Sequence, residues 1–203
     1  MFRQSILILT FLTKSKLSFL NKLSSFASIT RKSSSSVRIL GLDPGLRFLG
    51  WGVVEASGNR IVHLADGILA TDSAMAVPDR LCTLYQGIEK VIETYSPTEA
   101  AVEETYVNVN GAATLKLGYA RAMALLVPAQ KNLLVAEYGA KEVKLAVVGT
   151  GQATKQQVIL MVKRLLPAAT LKRADAADAL AMAICHAYRR AANLRIASGR
   201  VSA

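Results

Sequence analysis

Ile39-Leu40-Gly41-Leu42-Asp43-Pro44-Gly45, followed by Gly50-Trp51-Gly52-Val53-Val54, decides how this chain folds. The first segment is apolar up to Asp43 and then meets Pro-Gly, a strong turn signal. It reads as a buried strand that ends on a carboxylate. The second segment returns as its partner and leaves Asp43 at the mouth of a hairpin. A carboxylate fixed on a strand end is well placed to bind a metal ion. Taken alone, Asp43 serves equally well as a turn residue.

Working outward, Val37–Asp43, Gly50–Ala56 and Ile61–Thr71 read as a three-strand antiparallel meander, with Ser57-Gly58-Asn59 as the turn between the last two. Leu81, Leu84, Tyr85, Ile88, Val91 and Ile92 recur at helical spacing, so Pro78–Tyr95 is expected to be an amphipathic helix. Ser96-Pro97 ends it. Ala100–Glu103 is then a short strand, parallel to the first after the helical crossover, and it too ends on an acid. Helices follow over Ala112–Val127, stopped by Pro128, then over Ala140–Val148, Thr154–Leu166 and Ala174–Ala192, with a fifth strand at Leu133–Ala136. The order β-β-β-α-β-α-β-α-α-α predicts an α/β fold: a five-stranded mixed sheet, three antiparallel and two parallel strands, flanked by helices.

Four acids fall at chemically useful places in this scheme: Asp43, Glu103, Asp175 and Asp178. Asp175 and Asp178 are i and i+3 on one helix, so they share a face. Their neighbours Ala174, Ala176, Ala177, Ala179, Leu180 and Ala181 are small and apolar, which predicts a helix packed closely against something rather than a solvated one. The ordinary alternatives are a first-turn acid favourable to the helix dipole for Asp175 and a solvated face for Asp178. Alternation along the strand allows only one of Glu103 and Glu104 onto the site face, and Glu104 is the alternative to Glu103. Ligand sites in such sheets lie at the carboxyl ends of the strands. Carboxylates without Cys or His make an oxygen site for a hard cation, Mg²⁺ or Mn²⁺. Like charges crowded together also need compensation.

Bulk properties set bounds. The chain has 203 residues, 52% hydrophobic, enough for one well-packed domain. Its apolar runs are shorter than the roughly 18 to 20 residues that span a bilayer. A net charge of +11 favours a polyanionic partner, nucleic acid or membrane surface. Cys82 and Cys185 suggest neither a disulfide framework nor a zinc site, and two buried thiols in a reducing compartment are expected. His63 and His186 show no metal-binding spacing.

Residues 1–36 differ from the rest. They hold Arg3, Lys14, Lys16, Lys22, Arg31 and Lys32, no acid, and many hydroxyl residues. Removing those six bases from the +11 leaves about +5 on the remainder. Such a segment is transit-like, or it precedes the true start, since a GTG start codon at Val37 would be written as Val. Either way it is expected to be disordered and outside the fold. Residues 37–192 then form the domain, and 193–203 a flexible basic tail.

Gly41-Leu42-Asp43-Pro44-Gly45, Ala101-Val102-Glu103-Glu104, Lys116-Leu117-Gly118, Val147-Val148-Gly149 and Ala174-Asp175-Ala176-Ala177-Asp178-Ala179-Leu180-Ala181 resemble the motifs of the RuvC family, the bacterial Holliday-junction resolvases. The blocks stand in the family's order from Val37 to about Arg190. The resemblance implies an RNase H-like fold, with Asp43, Glu103, Asp175 and Asp178 as metal-binding catalytic carboxylates for two Mg²⁺ ions, Mn²⁺ substituting. It implies that Tyr106 stands where the family carries an aromatic residue at the junction centre, and that Lys144 and Lys155 contact DNA near the scissile phosphate. It further implies four-way junction DNA as substrate, a homodimer, RuvA–RuvB as branch-migration partners, no membrane, and a bacterial cytoplasmic location. Organelle targeting through residues 1–36 is the alternative.

The apolar helix Ala112–Val127 is the candidate dimer interface, with an ordinary core helix as the alternative. Lys163, Arg164, Arg173, Arg189, Arg190 and Arg195 form a basic rear half that could track phosphates. A phosphate-binding ATPase of the actin and sugar-kinase type also opens on an Asp-bearing hairpin, but it needs a second such domain. A non-catalytic junction-binding module would lack one of the acids. Another RNase H-like nuclease, acting on RNA or flaps, is the nearest alternative.

Overall fold

The structure is a computed structural model that describes residues 36–104 and 111–199. Strands β1 (Val37–Asp43), β2 (Phe48–Ser57) and β3 (Arg60–Ala70) form the meander, followed by α1 (Val77–Tyr95) and β4 (Glu99–Glu104). Then come α2 (Gly111–Gln130), β5 (Leu134–Gly139), α3 (Ala140–Val148), α4 (Lys155–Leu165) and α5 (Ala174–Ala197). The sheet order is β3-β2-β1-β4-β5. β1–β2 and β2–β3 are antiparallel, while β1–β4 and β4–β5 are parallel, as the sequence predicts.

Strand parity sorts the core into two layers. Leu40, Leu42, Val53, Ala100 and Val102 face one side and pack with Leu84, Ile88 and Val91 of α1 and Ala120, Ala124 and Val127 of α2. Ile39, Val54 and Ala101 face the other side, against Val143 and Val147 of α3, Val158 and Val162 of α4, and Leu180 and Ile184 of α5. Asp43 follows Ile39 and Gly41 in step, and Glu103 follows Ala101, so both acids belong to the face that carries α5.

Glycines set how close α5 comes. A Cβ at Gly41 would lie 1.9 Å from the Ala179 carbonyl oxygen, and one at Gly50 would lie 2.0 Å from that of Asp175. At Gly52 it would meet the Leu180 side chain at 2.6 Å. Any larger residue would push the helix off the sheet. The alanines of α5 complete the fit: Ala176, Ala177, Ala179, Ala181 and Ala183 are all buried.

Three expectations change. Pro128 does not stop the second helix; it sits in the last turn of α2, which runs to Gln130. A proline there forfeits a single intrahelical bond, and the chain leaves the helix at Asn132, whose φ of 62° suits a left-handed terminus. α5 continues to Ala197, so the first five residues of the expected tail are helical. Of the two thiols only Cys185 is buried, pushed up to about 12 first by burial and then by the Glu142 charge; Cys82 is exposed. Residues 1–35 and 200–203 lie outside the described residues, and so does Tyr106. No helix among the described residues is long and apolar enough to cross a membrane.

Candidate active site

Asp43 is the last residue of β1 and pairs in register with Gly50 of β2. On its other side Leu42 pairs with Val102 of β4, which sets Glu103 beside Asp43. Because Gly50 admits the first turn of α5 onto the sheet, Asp175 and Asp178 arrive over the same strand ends. The four expected acids therefore converge. Glu103 is half-buried while Glu104 is exposed, which assigns the site face to Glu103.

The electrostatics report the crowding. Burial, and then the charges of Glu103, Asp178 and Asp175 together with a hydrogen bond to Glu103, push Asp43 from its ordinary 3.8 up to about 8. Glu103 is raised as well: burial lifts it most, its hydrogen bond with Asp43 lowers it, Asp178 lifts it, and Lys155 and Lys144 lower it. A carboxyl held so far above its normal range reads as a site short of positive charge.

Part of that charge comes from the protein. Thr154 caps α4 through a capping box: its hydroxyl accepts from the Gln157 amide at 3.3 Å, and the Gln157 side chain accepts from the Thr154 amide at 2.8 Å. This fixes the helix start and presents Lys155 at its first residue, where the helix dipole disfavours a cation. The lysine is compensated by Asp178, its Nζ lying 2.8 Å from Oδ2. The hydrogen bond to Asp178 accordingly raises Lys155, ahead of the opposing effect of burial. On the other flank Arg173 Nε donates to Asp175 Oδ2 at 3.2 Å. Lys144 of α3 and Lys155 line a cavity of about 220 Å³ with Glu103, Val143, Asp178 and Met182.

No three Asp, Glu, His or Cys side chains among the described residues already stand as a closed metal cage. The two helix acids are instead engaged by Lys155 and Arg173. The donor set itself is all oxygen and anionic, and its buried member is driven towards the protonated form by burial and then by its neighbours, which suits a hard divalent cation.

The site also has an aromatic flank that carries no local sequence signal. Arg173 lies with its guanidinium 3.9 Å from the centre of the Phe48 ring, and Arg47 lies 5.2 Å from the same ring. In the basic rear half Arg189 pairs with Glu142, Arg190 with Glu99, and Arg195 donates to Asn59.

A family described as crossover junction endodeoxyribonuclease RuvC matches residues 39–186. A crossover junction endodeoxyribonuclease RuvC of Granulibacter bethesdensis is 65% identical over 176 residues, 87% of this chain and 99% of that protein. Its counterpart in Gluconacetobacter diazotrophicus is 62% identical over 163 residues, 80% and 97% of the two chains. Among solved structures, T. thermophilus RuvC in complex with a Holliday junction substrate matches with a TM-score of 0.70 at 29% identity, over 78% of this chain and 97% of that one. The family match runs from within β1 to within α5 and includes all four acids, the fold is RNase H-like, and the chain belongs to the RuvC family of crossover junction endodeoxyribonucleases.

Proposed function

We propose that this protein resolves four-way DNA junctions by hydrolytic nicking of paired strands, with Asp43, Glu103, Asp175 and Asp178 as its catalytic carboxylates. The observation that carries the assignment is their convergence, read in the charge felt by Asp43 from each of the other three. These acids would hold two Mg²⁺ ions, with Mn²⁺ as substitute, and bound ions would supply an activated water and stabilise the leaving oxygen. The protein's own residues do the rest. The strand ends fix Asp43 and Glu103, and the close-packed helix fixes Asp175 and Asp178. Lys155 is poised on Asp178 and Lys144 lies across the cavity, so both can turn to the extra negative charge of the pentacovalent phosphate. The P–O3′ bond breaks, the water oxygen stays on phosphorus, and the 3′ oxygen takes up a proton. The ends are a 5′ phosphate and a ligatable 3′ hydroxyl.

Symmetric cutting needs two sites related by a two-fold axis, hence a homodimer. Helix α2 is the proposed interface; Leu115, Tyr119 and Leu126 on it are exposed apolar residues. Tyr106, a residue with a π-face, is proposed to stack on an unpaired base at the junction centre. RuvA–RuvB are the proposed branch-migration partners, and the bacterial cytoplasm the proposed setting.

The test is a nicking assay on a synthetic four-way junction, a matched duplex and an RNA–DNA hybrid, each with Mg²⁺ and with EDTA. Paired, ligatable nicks in the junction alone, dependent on Mg²⁺, are expected. Preferred cutting of the hybrid would overturn the assignment in favour of an RNA-directed nuclease.

A further inference from the structure

We propose that Arg47 and Arg173, gathered on the Phe48 ring, form a second phosphate-binding edge of the active site. They would grip the cut strand on the Asp175 side, while Lys144 and Lys155 meet it from the Glu103–Asp178 side. The inference rests on the junction-nicking reading above and extends it to residues which that reading leaves unused.

Position comes first. Phe48 opens β2, just past the turn that follows Asp43, and Arg173 is the residue before α5 begins. The cluster is thus tied along the chain to Asp43 on one side and to Asp175 on the other. Both guanidinium groups lie within the roughly 6 Å over which an aromatic face attracts a cation.

The state of the charges is the second argument. Arg38, Arg121, Arg189 and Arg190 are each neutralised by a glutamate. Arg47 is exposed and has no carboxylate partner among the described residues; the ring is what locates it. Arg173 is held twice, by the ring and through Nε by Asp175. If Asp175 turns to a bound cation, Arg173 loses that ion pair but keeps its seat on Phe48. Two like charges on one ring repel, and an anion shared between them removes the conflict. The planar guanidinium fork matches phosphate oxygens, and the ring orients it in advance. A phosphodiester strand laid across the carboxylates is an anion that would reach both flanks of the site.

Binding of a fluorescein-labelled four-way junction by the full chain, followed by anisotropy in EDTA over a salt series, tests this without relying on cleavage. Arg47→Ala, which touches none of the acids, should weaken binding roughly tenfold and lower the log–log salt slope by about one. Arg173→Ala should lower the slope by less, because in EDTA its guanidinium stays paired with Asp175, and Phe48→Leu should weaken binding with little change of slope, because the charges remain. Arg47→Lys should restore the slope. Arg60→Ala, at the start of β3 and paired with Ser57 at the far end of β2 from Phe48, is the charge-matched control and should leave the slope unchanged. Wild-type affinity and slope in Arg47→Ala, with the wild type still binding and nicking junctions, would overturn this inference alone. A wild type that neither binds nor nicks junctions would overturn the reading beneath it. A slope lowered equally by Arg60→Ala would mean net charge, not a local contact, and would also overturn it.

Discussion

Two carboxylates on the same face of β4, Glu99 and Glu103, meet opposite fates. Glu103, at the carboxyl end, sits among Asp43 and Asp178 and is raised. Glu99, at the other end, accepts from His186 at 2.7 Å and from Arg190 at 2.9 Å. Burial alone would lift Glu99, but those hydrogen bonds and charges more than offset it and hold the group below its usual value. Tyr138 extends the chain to the other nitrogen of His186 at 2.7 Å. Helix α5 serves both ends, with Asp175 and Asp178 in its early turns and His186 and Arg190 further along. One end satisfies its polar groups internally and contributes stability. The other concentrates negative charge that Lys155 and Arg173 offset only in part.

The largest effect should come from the crowded end. Asp43→Asn should lower single-turnover nicking by on the order of 10²–10³-fold or more while junction binding persists. Near-normal nicking would erase the distinction between the two ends. Gly50→Ala acts on the same end through the backbone. Its Cβ would collide with the Asp175 carbonyl, so α5 must shift. A displacement of that kind should cost about 10²-fold in nicking and about 1–3 kcal/mol in stability by urea titration. Gly58→Ala, where nothing lies within 4 Å but φ is +58°, should show only a modest stability loss and normal nicking.

At the satisfied end the effect is on stability alone. Glu99→Gln leaves Arg190 without its counter-charge and His186 without its carboxylate acceptor, and should cost about 3 kcal/mol, with unchanged nicking per folded molecule. The pH dependences should have opposite signs. Glu99 is depressed in the fold, so its stabilisation is present above the ordinary glutamate range and is lost as pH falls through its lowered value. Asp43 is raised to about 8 from 3.8, so the fold retains a proton that the unfolded chain gives up, and stability declines as pH climbs between those values. In EDTA, Asp43→Asn should therefore raise Tm by a few degrees near pH 8 and by much less near pH 4. A gain independent of pH would show that burial and the neighbouring acids do not hold Asp43 above its ordinary value.

Most of the fold was legible because the ends of its elements carry their own markers. Asp43-Pro44-Gly45 and Ser96-Pro97 bracket apolar runs, and parity then assigns faces. Asp175 and Asp178 stood out because two acids in an alanine-rich helix fit no solvated surface. What stayed hidden depends on contacts distant in sequence or on one-turn balances. Pro128 obeys a local rule whose cost shrinks in a last turn. Ala192-Asn193 offers no stop signal, so α5 runs on to Ala197. Arg189 and Arg190 look like free bases until Glu142 and Glu99 arrive from other elements. Arg173 over Phe48 has no local signature, because the two residues come from opposite ends of the domain.

The glycines beneath α5 have a further consequence. Where main chain rests on main chain, with no side-chain cushion, alignment is inherited from the backbone and no neighbouring rotamer can repair an error. Variation should then be squeezed out of Gly41 and Gly50 and displaced to the periphery of the cleft. A laboratory search for new cutting preferences would do best to randomise that rim and leave the floor alone.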